Sequence, residues 1–400
     1  MLTQERLNPN IQSNEEMIEL TSMQRKMFIC NKLPLYRLPV IYDIEGHVTD
    51  SEISGAAYRT MKKYAALQMN YHYDQAERKF FQKFVPLTPE QFSVEFIETE
   101  TPIERYVKNS KLYIDLTEHY PWRIQLIKSE NKRYLYIEFH HICIDGLGIR
   151  NFEKSFLQFL SGDETDVPGE FDGSAYQLIR SAEDKNVGTL DSLDMLRIPA
   201  AKAGKYHTME RMEVIVDKRR LQIIDHLSRS LHVTKNACYQ GILEEALAKY
   251  CPGSVYGTVG NWRMHSRNFS EIGCLVSLHP KKIRSNLSLP EKITQGFIDQ
   301  LAIFHKKEMD SFHSIEFPIV YSYEENMFSH FRFIPVDQLC KFDVYFRINI
   351  TKLQTSLEAE YNSNKYREQD IKEICEEFFR LLDSMGGNIV GFDSQPYESI

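Results

Sequence analysis

The most constraining feature of this chain is a two-stranded hairpin that leads directly into a helix. Apolar and polar residues alternate through residues 121–141, around a charged turn at 129–133, and this alternation predicts two paired strands. From Gly146 onward the apolar residues recur at helical spacing, and this pattern stops near Ser161. One face of the second strand is expected to carry Leu135, Ile137, Phe139 and His141.

Strand and helix patterns are mixed in the same way along the rest of the chain. Helices are expected at about 13–33, 50–64, 218–231, 234–250 and 367–385, and strands at about 38–46, 209–217, 341–350 and 356–363. The periodicity fades between about 163 and 205, where glycine and proline accumulate. These patterns, which lack regular βαβ alternation, predict an α/β protein with two sandwich-like domains at 1–165 and 206–400, joined by a linker at 166–205.

Composition excludes several classes of function. Lys plus Arg number 48 against 56 Asp plus Glu, a formal net charge of -8, which argues against a nucleic-acid-binding protein. The seven cysteines show no metal-binding spacing, so we expect reduced thiols and neither a metal site nor a disulfide framework. The start of the chain lacks an apolar signal region, and no apolar run is long enough to span a bilayer. We therefore expect a cytoplasmic protein without a membrane partner.

The junction between hairpin and helix reads His140-His141-Ile-Cys-Ile-Asp145-Gly146. Neighbouring residues of a strand point to opposite faces, so only one of the two imidazoles can face a cleft. A neutral histidine is a suitable general base for an alcohol or an amine near neutral pH. Asp145 could orient a histidine or pair with a buried arginine, and Gly146 leaves room for a substrate close to the backbone.

Two other interpretations of this segment stay open from the residues alone. Adjacent histidines are poor co-ligands for a metal, and no third histidine or cysteine has a helpful spacing. The two histidines could also be hydrogen-bonded structural residues at the end of a strand. The pattern by itself does not separate this structural interpretation from a catalytic one.

The segment His140–Gly146 resembles HHxxxDG, the motif of the condensation-domain branch of the chloramphenicol-acetyltransferase-like superfamily. Further stretches resemble this family in the same order along nearly the whole chain. They lie at residues 20–25, 64–67, 121–123, 234–261, 272–277 and 342–385.

The resemblance implies a pseudo-dimer of two chloramphenicol-acetyltransferase-like domains with an active-site tunnel between them. A donor acyl group would arrive as a phosphopantetheine thioester, on an acyl or peptidyl carrier protein or on coenzyme A, without any bound cofactor or metal. The resemblance makes His141 the base that meets a small-molecule acceptor. It also suggests that Asp145 pairs with Arg263, with Arg123 as the second choice.

We therefore expect an acyltransferase that forms an amide or an ester in nonribosomal peptide or polyketide biosynthesis. The Asp-Phe-Gly-Trp-Gly pattern of plant-type acyltransferases is absent from the sequence, which favours the condensation type. Two alternatives remain open. One is a coenzyme A-dependent alcohol O-acyltransferase, and the other is a condensation-like module that binds a carrier protein without catalysis.

Overall fold

A computed structural model describes residues 17–110, 113–163, 173–185, 194–202, 207–250, 252–266, 268–305, 317–325, 328–336 and 338–386. The strands are β1 (Met17–Glu19), β2 (Arg37–Ile44), β3 (Met69–Asp74), β4 (Lys79–Phe84), β5 (Glu95–Thr99), β6 (Trp122–Ser129), β7 (Lys132–His140), β8 (Met209–Ile215), β9 (Val255–Asn261), β10 (Val276–Lys282), β11 (Ile319–Glu325), β12 (Phe331–Phe333), β13 (Val344–Ile350) and β14 (Thr355–Asn362). The α-helices are α1 (Ser22–Ile29), α2 (Asp50–Lys63), α3 (Ile103–Asn109), α4 (Gly146–Leu160), α5 (Ser174–Lys185), α6 (Lys218–Ser230), α7 (Lys235–Ala248), α8 (Arg263–Ser266), α9 (Leu289–His305) and α10 (Glu368–Met385).

A five-stranded sheet forms the centre of the amino-terminal half (residues 17–163). Its strand order is β12-β2-β7-β6-β5, and β1, β4 and β3 form a separate small sheet. The predicted hairpin is confirmed, because β6 and β7 pair antiparallel up to Ser129 and Lys132 beside the turn. In this sheet β7 lies between β2 and β6, so its end is held on both sides.

Strand β7 is buried on both of its faces. On one face Ile137 and Phe139 pack in a cluster with the buried residues of α2 and α4. On the other face Tyr136 packs in a cluster with Val107 of α3. Burial on both sides fixes the position and direction of the strand end that carries the histidines.

The carboxy-terminal half (residues 207–386) is built on a six-stranded sheet. Its order is β10-β9-β11-β13-β14-β8, with β11 parallel to both β9 and β13. Helices α6, α7, α9 and α10 cover one face and form a core with inward residues such as Phe346 and Leu357. Sheets and helices in both halves confirm the expected mixed α/β fold.

Strand β12 connects the halves, because it comes from the carboxy-terminal part of the chain but pairs with β2. The carboxylate of Glu153 on α4 accepts three backbone N–H groups beside this strand. The donors are Ser329 at 2.9 Å, His330 at 2.6 Å and Phe331 at 2.8 Å. These three donors compensate the carboxylate for its burial.

Two sequence-based expectations differ from the structure. The helix expected from about 13 to 33 is confirmed only at Ser22–Ile29, because β1 precedes α1, Thr21 caps that helix in a capping box with Gln24, and the helix ends at Ile29. Within the segment expected to be irregular, α5 is a regular helix that packs through Tyr176 and Ile179 against Trp262 and Leu275. Parts of the linker prediction, at 164–172, 186–193 and 203–206, lie outside the described residues, and the domain bounds stay a prediction.

Candidate active site

The two histidines lie where β7 ends and a turn leads into α4. His140 is the last residue of β7 and pairs with Arg37, and residues 141–143 form the turn. The expectation that His141 shares a strand face with Phe139 is therefore wrong, because the strand ends one residue earlier. The backbone of His141 is still fixed, since its N–H donates to the carbonyl of Tyr36 at 2.8 Å.

The half-buried imidazole of His141 has one nitrogen occupied and one nitrogen available. Its Nδ1 lies 2.8 Å from the carbonyl oxygen of Ile144. Because a carbonyl oxygen only accepts, Nδ1 carries the proton and Nε2 keeps its lone pair. Burial, helped by the positive charge of Lys341, lowers the pKa of His141 below its ordinary value of 6.5. The ring is therefore neutral at neutral pH, and Nε2 is the atom that can accept a proton.

His140 is buried and serves a different purpose. Its Nδ1 accepts the backbone N–H of Ile142 at 3.2 Å, which helps to shape the turn. Burial, with the charges of His141 and Lys341, lowers the pKa of His140 to about 3. This ring therefore stays neutral across the physiological range and is unsuited to take up a proton.

Asp145 is the residue that links the turn, helix α4 and the carboxy-terminal half. One carboxylate oxygen, Oδ1, accepts the N–H of Gly148 at 2.9 Å and caps α4. The other oxygen, Oδ2, accepts from Arg263 Nη1 at 2.7 Å and from the N–H of Leu275 at 3.1 Å. Its position is therefore determined by both halves of the protein.

Arg263 is completely buried, with a side-chain exposure of 0% against 3% for Asp145. Two further N–H groups bind backbone carbonyls, with Nε donating to Glu271 at 2.9 Å and Nη2 to Gly273 at 3.3 Å, and Nη1 also lies 3.5 Å from Oδ1 of Asn261. A buried guanidinium with a charged partner and these two acceptors is well compensated. The pair joins the turn that carries the histidines to the segment that follows β9.

The structure also distinguishes between the two arginines named from the sequence. Arg123 lies on β6, opposite Glu138 of β7, whereas the carboxylate of Asp145 is held by Arg263. The second choice of Arg123 as partner is therefore wrong. Asp145 pairs with an arginine, and among the described residues it makes no hydrogen bond to either histidine.

Two glycines of the junction have different surroundings. Gly146 is the exposed first residue of α4. Gly148 is buried, and a Cβ atom there would lie 2.7 Å from Ile144 Cγ1 and 3.6 Å from Arg263 Nη2. Close packing of the buried pair therefore needs a glycine at 148, a requirement that sequence reasoning missed although the Gly-Leu-Gly spacing was visible.

Lys341 is a further residue that sequence reasoning missed. It comes from the carboxy-terminal half, just before β13, and its Nζ lies 5.5 Å from the centre of the Tyr36 ring. The same Tyr36 ring lies 6.5 Å from the ring of His140. No local pattern relates this lysine to the histidines, because only the tertiary fold brings the two segments together.

Metal-binding clusters and membrane-spanning helices are both absent from the described ranges. These ranges contain no group of three or more His, Cys, Asp or Glu side chains arranged to hold a metal ion. Within the same ranges no helix combines the length and the apolar character needed to cross a bilayer. The polar groups that the fold brings together at the junction are the two histidines, Asp145 and Arg263.

Part of the chain matches a known protein family. The profile of the condensation domain matches residues 14–170. Among curated proteins, gramicidin S synthase 2 of Aneurinibacillus migulanus is 24% identical over 144 residues, which are 34% of this chain. The match covers only 3% of that much longer protein.

Solved structures extend the likeness to nearly the whole chain. The epimerization domain from the third module of tyrocidine synthetase B has a TM-score of 0.76 at 17% identity, covering 93% of this chain and 97% of that one. The condensation domain of the Monacolin K polyketide synthase has a TM-score of 0.72 at 13% identity, covering 93% and 98%. An X-domain in complex with OxyB, from teicoplanin biosynthesis, has a TM-score of 0.71 at 14% identity, covering 99% and 100%. These likenesses confirm the expected pseudo-dimeric, chloramphenicol-acetyltransferase-like fold.

Proposed function

We propose that this chain, whose residues 14–170 match the condensation-domain profile and whose fold is similar to that of condensation and epimerization domains, is an acyltransferase. The acyl donor is a phosphopantetheine thioester on a carrier protein or on coenzyme A. The acceptor is an amine or a hydroxyl, and the product is an amide or an ester of a nonribosomal peptide or polyketide pathway. The active-site tunnel lies between the two halves, beside Gly146.

The observation that carries this proposal is the fixed tautomer of His141. Its Nδ1–H donates to Ile144, so Nε2 presents a lone pair on a neutral ring. A base of this kind can remove the proton of an amine or a hydroxyl as that group attacks a carbonyl.

The proposed reaction needs only this base and correct positioning. His141 Nε2 takes the acceptor's proton while the acceptor nitrogen or oxygen bonds to the thioester carbonyl carbon. The tetrahedral intermediate then expels the thiolate, which takes the proton back from His141, and the base is regenerated. Because a thioester is already activated, holding the two substrates together supplies much of the acceleration.

Intact-mass measurement of acyl transfer tests the function. A carrier protein loaded with a short acyl chain, and separately the same acyl group on coenzyme A, would be offered with a panel of amines and alcohols. We expect loss of the acyl mass from the donor and a new acylated acceptor, both absent with the His141→Ala variant. Product from coenzyme A and alcohols alone would identify the O-acyltransferase alternative. A carrier protein that binds but keeps its acyl group would instead identify the non-catalytic module.

Replacement of Gly146 by Trp tests the position of the tunnel. Because Gly146 is exposed at the start of α4, the protein should fold, while the indole obstructs the approach of a substrate to His141. We expect turnover to fall on the order of 10²-fold, as misplacement near a reacting centre can do. The control is Gly46→Trp, at an exposed glycine where an added Cβ would meet nothing within 4 Å. Normal melting together with normal turnover of the Gly146→Trp protein would show that the tunnel runs elsewhere.

The pH dependence of kcat/KM tests the electrostatic environment of His141. Only the neutral ring can act as a base, and its pKa lies below the ordinary 6.5 because of burial and Lys341, against the opposing charge of Asp145. We therefore expect activity to fall only below that pH. In Lys341→Met the protonated ring loses a repulsive neighbour, its pKa rises, and the acidic limb of the profile should move to higher pH. If the acidic limb lies at the same pH in Lys341→Met as in the wild type, Lys341 does not lower the pKa of His141.

A further inference from the structure

Tyr36, the residue immediately before β2, has its backbone in the left-handed region, with a φ of 62°. This region is unfavourable for a residue with a bulky side chain. The other non-glycine residues with a positive φ in the described ranges are all exposed, and they are Arg78, Glu130, Asn131 and His232. Tyr36, by contrast, is only 4% exposed. A buried residue keeps such a backbone only where its surroundings fix it, and residues of this kind cluster at functional sites.

Tyr36 contacts both histidines of the candidate active site. Its carbonyl oxygen accepts the N–H of His141 at 2.8 Å, which continues the pairing of β2 with β7 beyond the Arg37–His140 pair. Its ring centre lies 6.5 Å from the ring centre of His140. One residue therefore touches the histidine turn through its backbone and through its side chain.

The same ring receives a cation from the carboxy-terminal half. The Nζ atom of Lys341 lies 5.5 Å from the centre of the Tyr36 ring, and the face of an aromatic ring attracts an ammonium group. The neighbours of Lys341 are fixed, because the N–H of Cys340 donates to the carbonyl of His207 at 2.8 Å and the ring of Phe342 packs 5.6 Å from that of Tyr345. The contact with Tyr36 therefore determines where the ammonium of Lys341 lies.

Few charged groups act on His141, and Lys341 is the positive one. The imidazole interacts electrostatically with Lys341 and Asp145, and its neighbour His140 also interacts with Lys341. On its other side Lys341 interacts with the carboxylate of Glu360 on β14. An ammonium drawn toward that carboxylate would lie farther from the histidines, so the attraction of the Tyr36 ring opposes such a displacement.

We propose that Tyr36 is a positioning residue of the candidate active site. Its carbonyl fixes the backbone of His141, and its ring holds the ammonium of Lys341 beside the two histidines. The inference rests on the proposed acyl transfer, in which His141 has to be neutral to act as a base. The left-handed backbone serves both contacts, because it directs the carbonyl to the turn while the ring meets the lysine of the other half.

The test measures the titration of His141 directly, by NMR of its ring Cε1–H in the full chain, and the pH dependence of kcat/KM in parallel. Tyr36→Leu removes the aromatic ring but keeps a bulky side chain at the same backbone position. We expect the titration and the acidic limb both to move to higher pH, as in Lys341→Met and by no more than in that variant. The double variant Tyr36→Leu/Lys341→Met should move no further than Lys341→Met, since the ring then has no ammonium to hold.

Two control variants separate positioning of the charge from support of the fold. Tyr36→Phe keeps the ring, so His141 should titrate as in the wild type. Gln24→Met loosens the same turn from another side, because Nε2 of Gln24 donates to the carbonyl of Ile142 at 3.2 Å. It should lower the melting temperature and the turnover without moving the titration of His141 to higher pH. If Tyr36 only supported the fold, Tyr36→Leu would behave like Gln24→Met.

Tyr36→Asn keeps the inference testable if Tyr36→Leu fails to fold, because asparagine tolerates the left-handed backbone and also lacks the ring. An unchanged titration of His141 in the folded variant without the ring would overturn the inference, and so would additive shifts in the double variant. The NMR titration needs no turnover, so this result does not depend on the reaction. A shifted titration without acyl transfer to any acceptor would instead overturn the proposed function and leave the placement of Lys341 by Tyr36 standing.

Discussion

His141→Ala is expected to lower the rate of acyl transfer by about 10²–10⁴-fold, which is the factor that general base catalysis usually contributes to a rate. The lost group is the neutral imidazole whose Nδ1–H donates to Ile144 and whose Nε2 is available. The backbone hydrogen bond from His141 to Tyr36 does not depend on the side chain. The variant should therefore melt at nearly the wild-type temperature while turning over slowly.

His140→Ala is the comparison that gives the His141 result its meaning. It removes a buried ring that accepts the N–H of Ile142, so we expect loss of both stability and activity. Thermal melts and single-turnover rates of the two variants would be measured side by side. Wild-type turnover by a well-folded His141→Ala protein would disprove the assignment of the base.

Asp145→Asn and Arg263→Gln should each destabilise the protein by about 3–5 kcal/mol, the typical effect of breaking one side of a buried ion pair. The pair is 2.7 Å long and almost without solvent exposure. Each substitution leaves a charge buried without its counter-charge, which is far less favourable than an exposed one. Activity should fall as well, because the same carboxylate caps α4 directly after the turn that carries His141.

A double-mutant cycle measures whether the two effects belong to one interaction. The second substitution finds no pair left to break, so the combined loss should be much smaller than the sum of the single losses. Arg332 and Asp43 provide a matched control, an exposed pair at 2.9 Å with side chains 44% and 62% exposed. Substitution of Asp43 by Asn should change stability by only ~0–1 kcal/mol. Additive effects at Asp145 and Arg263 would contradict their coupling.

Helix α4 explains why stability and activity are expected to fall together at this pair. Its cap Asp145 binds Arg263, its Asn151 donates to the carbonyl of Phe269 at 2.8 Å, and its Glu153 binds the backbone beside β12. All three contacts reach the carboxy-terminal half. The helix that follows the histidine turn is therefore positioned from the other half of the protein, and loosening this contact should displace His141.

The sequence by itself predicted the hairpin that carries the histidines and the helix that follows it. Alternation over 121–141 and the change of period at Gly146 predicted β6, β7 and α4, and the structure confirms these elements. Local patterns succeed here because both faces of β7 are buried and α4 presents one apolar face, so each residue's environment follows from its place in its own element. The motif at 140–146 and its resemblance predicted a likeness to condensation domains, which the profile match over residues 14–170 supports, and the pseudo-dimeric fold, which the solved structures confirm.

Only the tertiary structure decided which distant segments meet. The insertion of β11 in parallel between β9 and β13, and the transfer of β12 to the amino-terminal sheet, have no signal in local periodicity. The tautomers of His140 and His141 depend on hydrogen bonds formed in a turn that the alternating pattern assigns to a strand. The contact of Lys341 with the Tyr36 ring likewise arises between segments that are far apart in the sequence. A local pattern indicates how deeply a residue is buried, whereas chemistry at this site depends on partners brought together by folding.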